Sequence, residues 1–178
     1  MKTTAKFLAL AMIGMLISCS NNASLQKYFV EKLDDREFVT VDFAPGSLFD
    51  DAEGLSEENQ KVLKTVKKIN FLALQNEKTN PQKMASEKLR IKEILAQEKY
   101  QPLIKFGSNK QAISLYFTGN EEEIGEVIVY GNSENEGLGL VRVLGKDMNP
   151  SAILQLVMSL DEEKINLSVF EDIQSVLN

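Results

Sequence analysis

Few residues of this chain could do chemistry, and the first is Cys19, the single cysteine among 178 residues. Leu16-Ile17-Ser18 precede it, and before them Phe7–Ile17 is a run of 11 apolar residues counting Gly14, led by Lys2 and Lys6. A spanning helix needs about 20 apolar residues, so this run suits the core of a signal peptide. The lysines hold that end on the cytoplasmic side. With the small Ser18 just before the cysteine, the pattern reads as a lipobox cut between Ser18 and Cys19, with lipid then placed on Cys19. The alternatives are an ordinary secretory signal with an incidental cysteine, or a buried thiol. One acyl chain anchors marginally, whereas two or more hold a protein stably at about 0.8 kcal/mol per buried CH2.

The remaining chemistry is sparse. There is no histidine, which removes Ser-His-Asp and Cys-His nucleophile systems and histidine-based zinc sites. Ser86 and Lys88 lack the S-x-x-K spacing and read as a solvated helix face. Asp50-Asp51-Ala52-Glu53-Gly54 offers oxygen ligands for calcium, yet without the alternating acidic spacing of an EF-hand loop. Glu121-Glu122-Glu123 and Asp161-Glu162-Glu163 read as solvated connections, and Gly137-Leu138-Gly139-Leu140 falls at a strand start rather than between strand and helix. Lys61, Lys64, Lys67 and Lys68 gather about one helix and its end. No catalytic residue, cofactor or metal is expected. Tyr116 and Tyr130 sit on neighbouring expected strands, where an aromatic pair could grip a partner or pack beneath a helix.

The elements that position these residues follow from pattern and capping. Removing residues 1–18 takes away Lys2 and Lys6, so the net charge moves from −6 to −8. An acidic domain is a poor partner for nucleic acid and gains no attraction to anionic lipid. Apolar content of 43% supports one packed domain over residues 25–178, behind a short polar linker at 19–24. Ser24 caps a first helix with Leu25, Tyr28, Phe29 and Leu33 on one face. Phe38–Phe43 alternates as a strand, Pro45-Gly46 turns the chain, and Ser56 opens a helix to about Val66. Ile69–Leu74 reads as a strand buried on both faces. Asn80-Pro81 starts a helix to about Gln97 bearing Met84, Leu89, Ile91, Ile94 and Leu95, and Leu103–Phe106 is a brief strand. Ala112–Thr118, Gly125–Tyr130 and Leu138–Leu144 form an antiparallel meander. Asn149-Pro150 begins another helix through Ile153, Leu156, Val157 and Leu160, and Ser168-Val169-Phe170-Glu171 is a capping box for a last one.

These features together carry a family resemblance: the lipoprotein start, the alternating strand followed by Pro45-Gly46-Ser47-Leu48-Phe49, the Ile69–Leu74 strand, Tyr100–Leu103, and the meander ending in Gly145-Lys146-Asp147-Met148. The chain resembles the small bacterial lipoproteins grouped as domain of unknown function 4252, mostly from Bacteroidota. The resemblance implies a double-membraned envelope and an α+β fold, and carries no catalytic residue.

The expected architecture is α+β: an antiparallel or mixed sheet of about five or six strands with helices packed on one face. The expected role is that of a lipid-anchored envelope lipoprotein, not an enzyme, that binds or scaffolds a protein partner. The alternative is a module for a small envelope ligand such as lipid or glycan. Ser20 follows Cys19 and no acid appears before Glu31, which points to the outer membrane and its periplasmic leaflet.

Overall fold

The computed structural model describes residues 23–48, 55–108, 110–120 and 124–158. The signal at 1–18, Cys19 itself, the acidic stretches at 50–54, 121–123 and 161–163, and the capping box at 168–171 lie outside the described residues.

Among the described residues six strands form one sheet: β1 (Phe38–Phe43), β2 (Val66–Gln75), β3 (Gln101–Gly107), β4 (Gln111–Gly119), β5 (Ile124–Ser133) and β6 (Gly137–Met148), in the spatial order β1-β2-β6-β5-β4-β3. Every pairing is antiparallel. The meander read from the sequence is therefore present, extended by β3 at one edge and by β2 and β1 beyond β6. Pro102 is tolerated because β3 is an edge strand, and the β3–β4 register shifts just beyond it, between Pro102 and Ile104. Gly107 closes the β3–β4 hairpin at φ 96°, where an added Cβ would lie 2.1 Å from the Gln111 carbonyl oxygen.

Among the described residues four α-helices cover the sheet: α1 (Leu25–Lys32), α2 (Glu57–Thr65), α3 (Pro81–Leu95) and α4 (Pro150–Met158). Their starts follow the expected caps. Ser24 Oγ accepts from Lys27 N–H, Ser56 Oγ from Asn59, Asn80 Oδ1 from Lys83 and Asn149 Oδ1 from Ala152.

The helices do not share one face, which corrects the expected layering. Leu25, Tyr28 and Phe29 of α1 and Met84, Ile91 and Ile94 of α3 pack on Leu72, Leu74, Ile128 and Leu140. Ile153 of α4 packs on Phe117 and Val127, side chains of the opposite face, and Val62 of α2 joins it there. Strand alternation explains the split: Val127 and Ile128 are neighbours in sequence and point to opposite sides. β2 follows the same rule. Leu72 and Leu74 are fully buried, whereas Phe71 and Ala73 on the second face are only partly so. Leu33 and Leu89, expected in the core, are exposed. Lys32 and Glu87 take core-facing positions on their helices instead.

Those two charges are tolerated because they meet. Lys32 Nζ donates to Glu87 Oε1, and Tyr28 Oη donates to Glu87 Oε2 at 2.9 Å. The ammonium also lies 4.8 Å from the Phe38 ring centroid. At the rim, Lys83 joins Asp35 at 2.9 Å and Glu37 at 3.2 Å. Burial works against ionisation of Asp35, but hydrogen bonds from Lys83 and from the Glu37 N–H outweigh it and hold the carboxyl below its ordinary value.

Candidate functional site

A recess of about 330 Å³ lies at the start of α3, lined by Asn80, Pro81, Met84 and Lys88, and a larger one opens at its C-terminal end. There the helix stops at Leu95, Tyr100 turns the chain into β3, and a cleft of about 510 Å³ is left between the helix end and strands β3, β4 and β5.

Register determines what lies on its floor. Lys105 of β3 pairs with Ser114 of β4, Ser114 with Tyr130 of β5, and Tyr130 with Leu140 of β6. Directly opposed residues share a face, so Lys105, Ser114 and Tyr130 form one row across three strands. Tyr116 stands two residues along β4 from Ser114 and hence on the same side, opposite Pro102. Lys92 and Leu95 reach the cleft from α3, and all of these side chains but Leu140 line it.

Tyr130 is 3% exposed, yet its hydroxyl has no hydrogen-bond partner among the described residues. Burial, reinforced by the neighbouring Tyr116, pushes its pKa up to about 12, so it is a neutral donor at physiological pH. Buried polar groups are ordinarily paired; this hydroxyl, shielded from solvent, is left unpaired on a side chain that lines the cleft. Among the described residues two lysines and no carboxylate line the cleft. It therefore offers ammonium and hydroxyl donors above an apolar wall of Leu95, Pro102 and the tyrosine rings. These are groups for binding and orienting.

The cleft also adjoins the chain's point of entry. Gln97 Nε2 donates to the Ala23 carbonyl oxygen, and Leu25 N–H donates to Tyr100 Oη at 3.1 Å. Tyr100 thus holds the first residues of α1 with its hydroxyl while it lines the cleft.

Of the residues singled out in the sequence, Tyr116 and Tyr130 are brought together here, in a recess at the end of α3. Cys19 and Ser18 lie outside the described residues. The lysine cluster is dispersed: Lys68 pairs with Asp42 at 2.5 Å, while Lys61, Lys64 and Lys67 are exposed. Ser86 Oγ donates to the Lys83 carbonyl oxygen within α3, and Lys88 Nζ donates to the Ser133 carbonyl oxygen. Lys92 and Lys105 carry no local signal in the sequence. Only a pattern of one helix end meeting an edge strand would have found them.

No group of three or more potential metal-ligating side chains occurs among the described residues, and no described helix is long and apolar enough to cross a membrane. No curated protein and no solved structure matches the chain. A family does match, over residues 28–156, a stretch that runs from Tyr28 in α1 through all six strands to Leu156 in α4. The chain belongs to the family described as domain of unknown function 4252.

Proposed function

We propose that this protein is a non-catalytic binding module of the cell envelope, held to its membrane by lipid on Cys19, that takes a small ligand in the cleft at the end of α3. One observation carries the ligand-binding reading: the buried Tyr130 hydroxyl, without a partner among the described residues, on a side chain lining a recess of about 510 Å³. Ligand sites are concave, run from about 300 to 1,000 Å³, and place few polar groups against an apolar wall. The chain has no tryptophan, so Tyr116→Trp introduces a single reporter into the cleft. Its emission is expected to shift when an organic extract of the envelope is added; an emission spectrum indifferent to the extract argues against the reading.

The anchor has its own support in the lysines, the 11-residue apolar run and the Ser18-Cys19 pair. Cys19→Ala is expected to move the protein from the membrane to the soluble fraction, and unchanged detergent-dependent association would refute the lipid. The residues after Cys19 favour the periplasmic leaflet of the outer membrane, where shaving of intact cells with protease should leave the protein whole.

A second reading, a protein partner, draws on Phe106 and Ile113. They are 57% and 46% exposed and directly opposed across β3 and β4, on the face away from the cleft. Cells carrying a photocrosslinker at position 113 would capture that partner reproducibly.

A further inference from the structure

Charge, chemistry and placement at the cleft point to one class of ligand. Among the described residues the lining carries Lys92 and Lys105 without a carboxylate, in a chain whose net charge is −6. Neither lysine joins an ion pair among the described residues. Two ammonium groups and the Tyr130 hydroxyl are donors, and a charged acceptor makes the stronger hydrogen bonds with them. Leu95, Pro102 and the rings of Tyr100 and Tyr116 supply the surface for an apolar body.

Placement adds a source. Ala23 is fixed beside the cleft through Gln97, and the next residue but one, Leu25, is fixed through Tyr100. Four peptide links separate Ala23 from Cys19. Fully extended they reach only about 14 Å. A lipid on Cys19 therefore holds Ala23, near the cleft, within that reach of the head groups.

We infer that the cleft takes an anionic amphiphile, with a carboxylate or phosphate head, drawn from the same leaflet that holds the anchor. The inference rests on the two readings above, the cleft as a ligand site and Cys19 as a lipidated residue. The domain's overall negative charge gives it no general attraction to an anionic surface. Two exposed lysines lining the recess serve a single head group instead.

The test places the full chain in phosphatidylcholine vesicles containing photoreactive palmitate, photoreactive phosphatidate or, as the uncharged control, photoreactive palmityl alcohol. Both anions are expected to label peptides from the end of α3 and from β3–β5. The double variant Lys92→Gln, Lys105→Gln should lower that labelling about tenfold, the loss expected for a charge-assisted hydrogen bond. Labelling by the alcohol should be weaker in the parent and unaltered in the variant. A thermal melt of the variant matching the parent shows that folding is intact, and Tyr130→Phe gives an independent decrease should it not be. Equal labelling of the cleft by the alcohol overturns the anionic class and leaves the ligand site standing. Labelling by all three probes only outside the cleft overturns both. A flexible insertion of about 20 Gly/Ser residues between Asn22 and Ala23 adds roughly 25 Å of mean reach, and should reduce anion labelling several-fold. Undiminished labelling of that variant overturns the leaflet as the source.

Discussion

Tyr28 and Tyr130 belong to the same core and are buried to nearly the same degree, at 0% and 3% exposure. Tyr28 donates to Glu87, and Glu87 in turn receives Lys32. Tyr130 has no partner among the described residues. The first region spends its polar groups on one another and closes the sheet against α1 and α3. The second, one helix end away, leaves a donor unspent next to open volume. Stability arguments account for the first arrangement. They do not account for the second, because an unpaired buried hydroxyl costs rather than stabilises.

Substitutions can break this contrast, beginning with the largest effect. Glu87→Ala strands the Lys32 ammonium in the core. Removing one partner of a buried pair typically costs 3–5 kcal/mol, and with Asp35 3.9 Å away to compensate in part, about 3 kcal/mol is expected in urea unfolding. Tyr28→Phe removes one of the two donors to Glu87 and should cost about 1 kcal/mol in the same assay. Tyr130→Phe removes a buried hydroxyl that bonds to nothing described, so it should leave stability unchanged or raise it by up to about 1 kcal/mol. A cost at Tyr130 equal to that at Tyr28 would erase the distinction between the two regions.

Alkaline titration sharpens the comparison further. Burial raises both tyrosines above their ordinary pKa of 10, with the Glu87 charge adding to the effect at Tyr28. A raised acid contributes stability in full below its unfolded value, and loses it as pH climbs toward the folded one. For Tyr130 that window is pH 10 to about 12. Stability measured across it should fall less steeply in Tyr130→Phe than in the parent chain; identical slopes would place the hydroxyl in water rather than in the core.

The sheet was legible because its strands alternate or run apolar between Gly-rich turns, and the helix starts were legible because Ser24, Ser56, Asn80 and Asn149 are capping residues followed at once by helical pattern. What the pattern concealed was which face each helix takes. Leu33 and Leu89 look like core residues by type, while Lys32 and Glu87 do not. Yet position favours the charged pair: Lys32 is four residues from Tyr28, and Glu87 is three from Met84 and four from Ile91. Opposite charges at core positions of two helices are a readable sign of a buried pair. The cleft leaves no such sign. Tyr116 and Tyr130 could be placed on one sheet face from alternation, but Lys92 and Lys105 meet them only because α3 ends at Leu95 and β3 returns along the edge.

The most direct measurement is made on the protein purified gently from the membranes of the cells that produce it, with bound small molecules extracted and weighed against protein by mass spectrometry. An organic anion near one equivalent, lost on Lys92→Gln with Lys105→Gln, is the expected result. A chain that leaves those membranes carrying no small molecule, and folds equally well without one, would contradict a ligand at Tyr130.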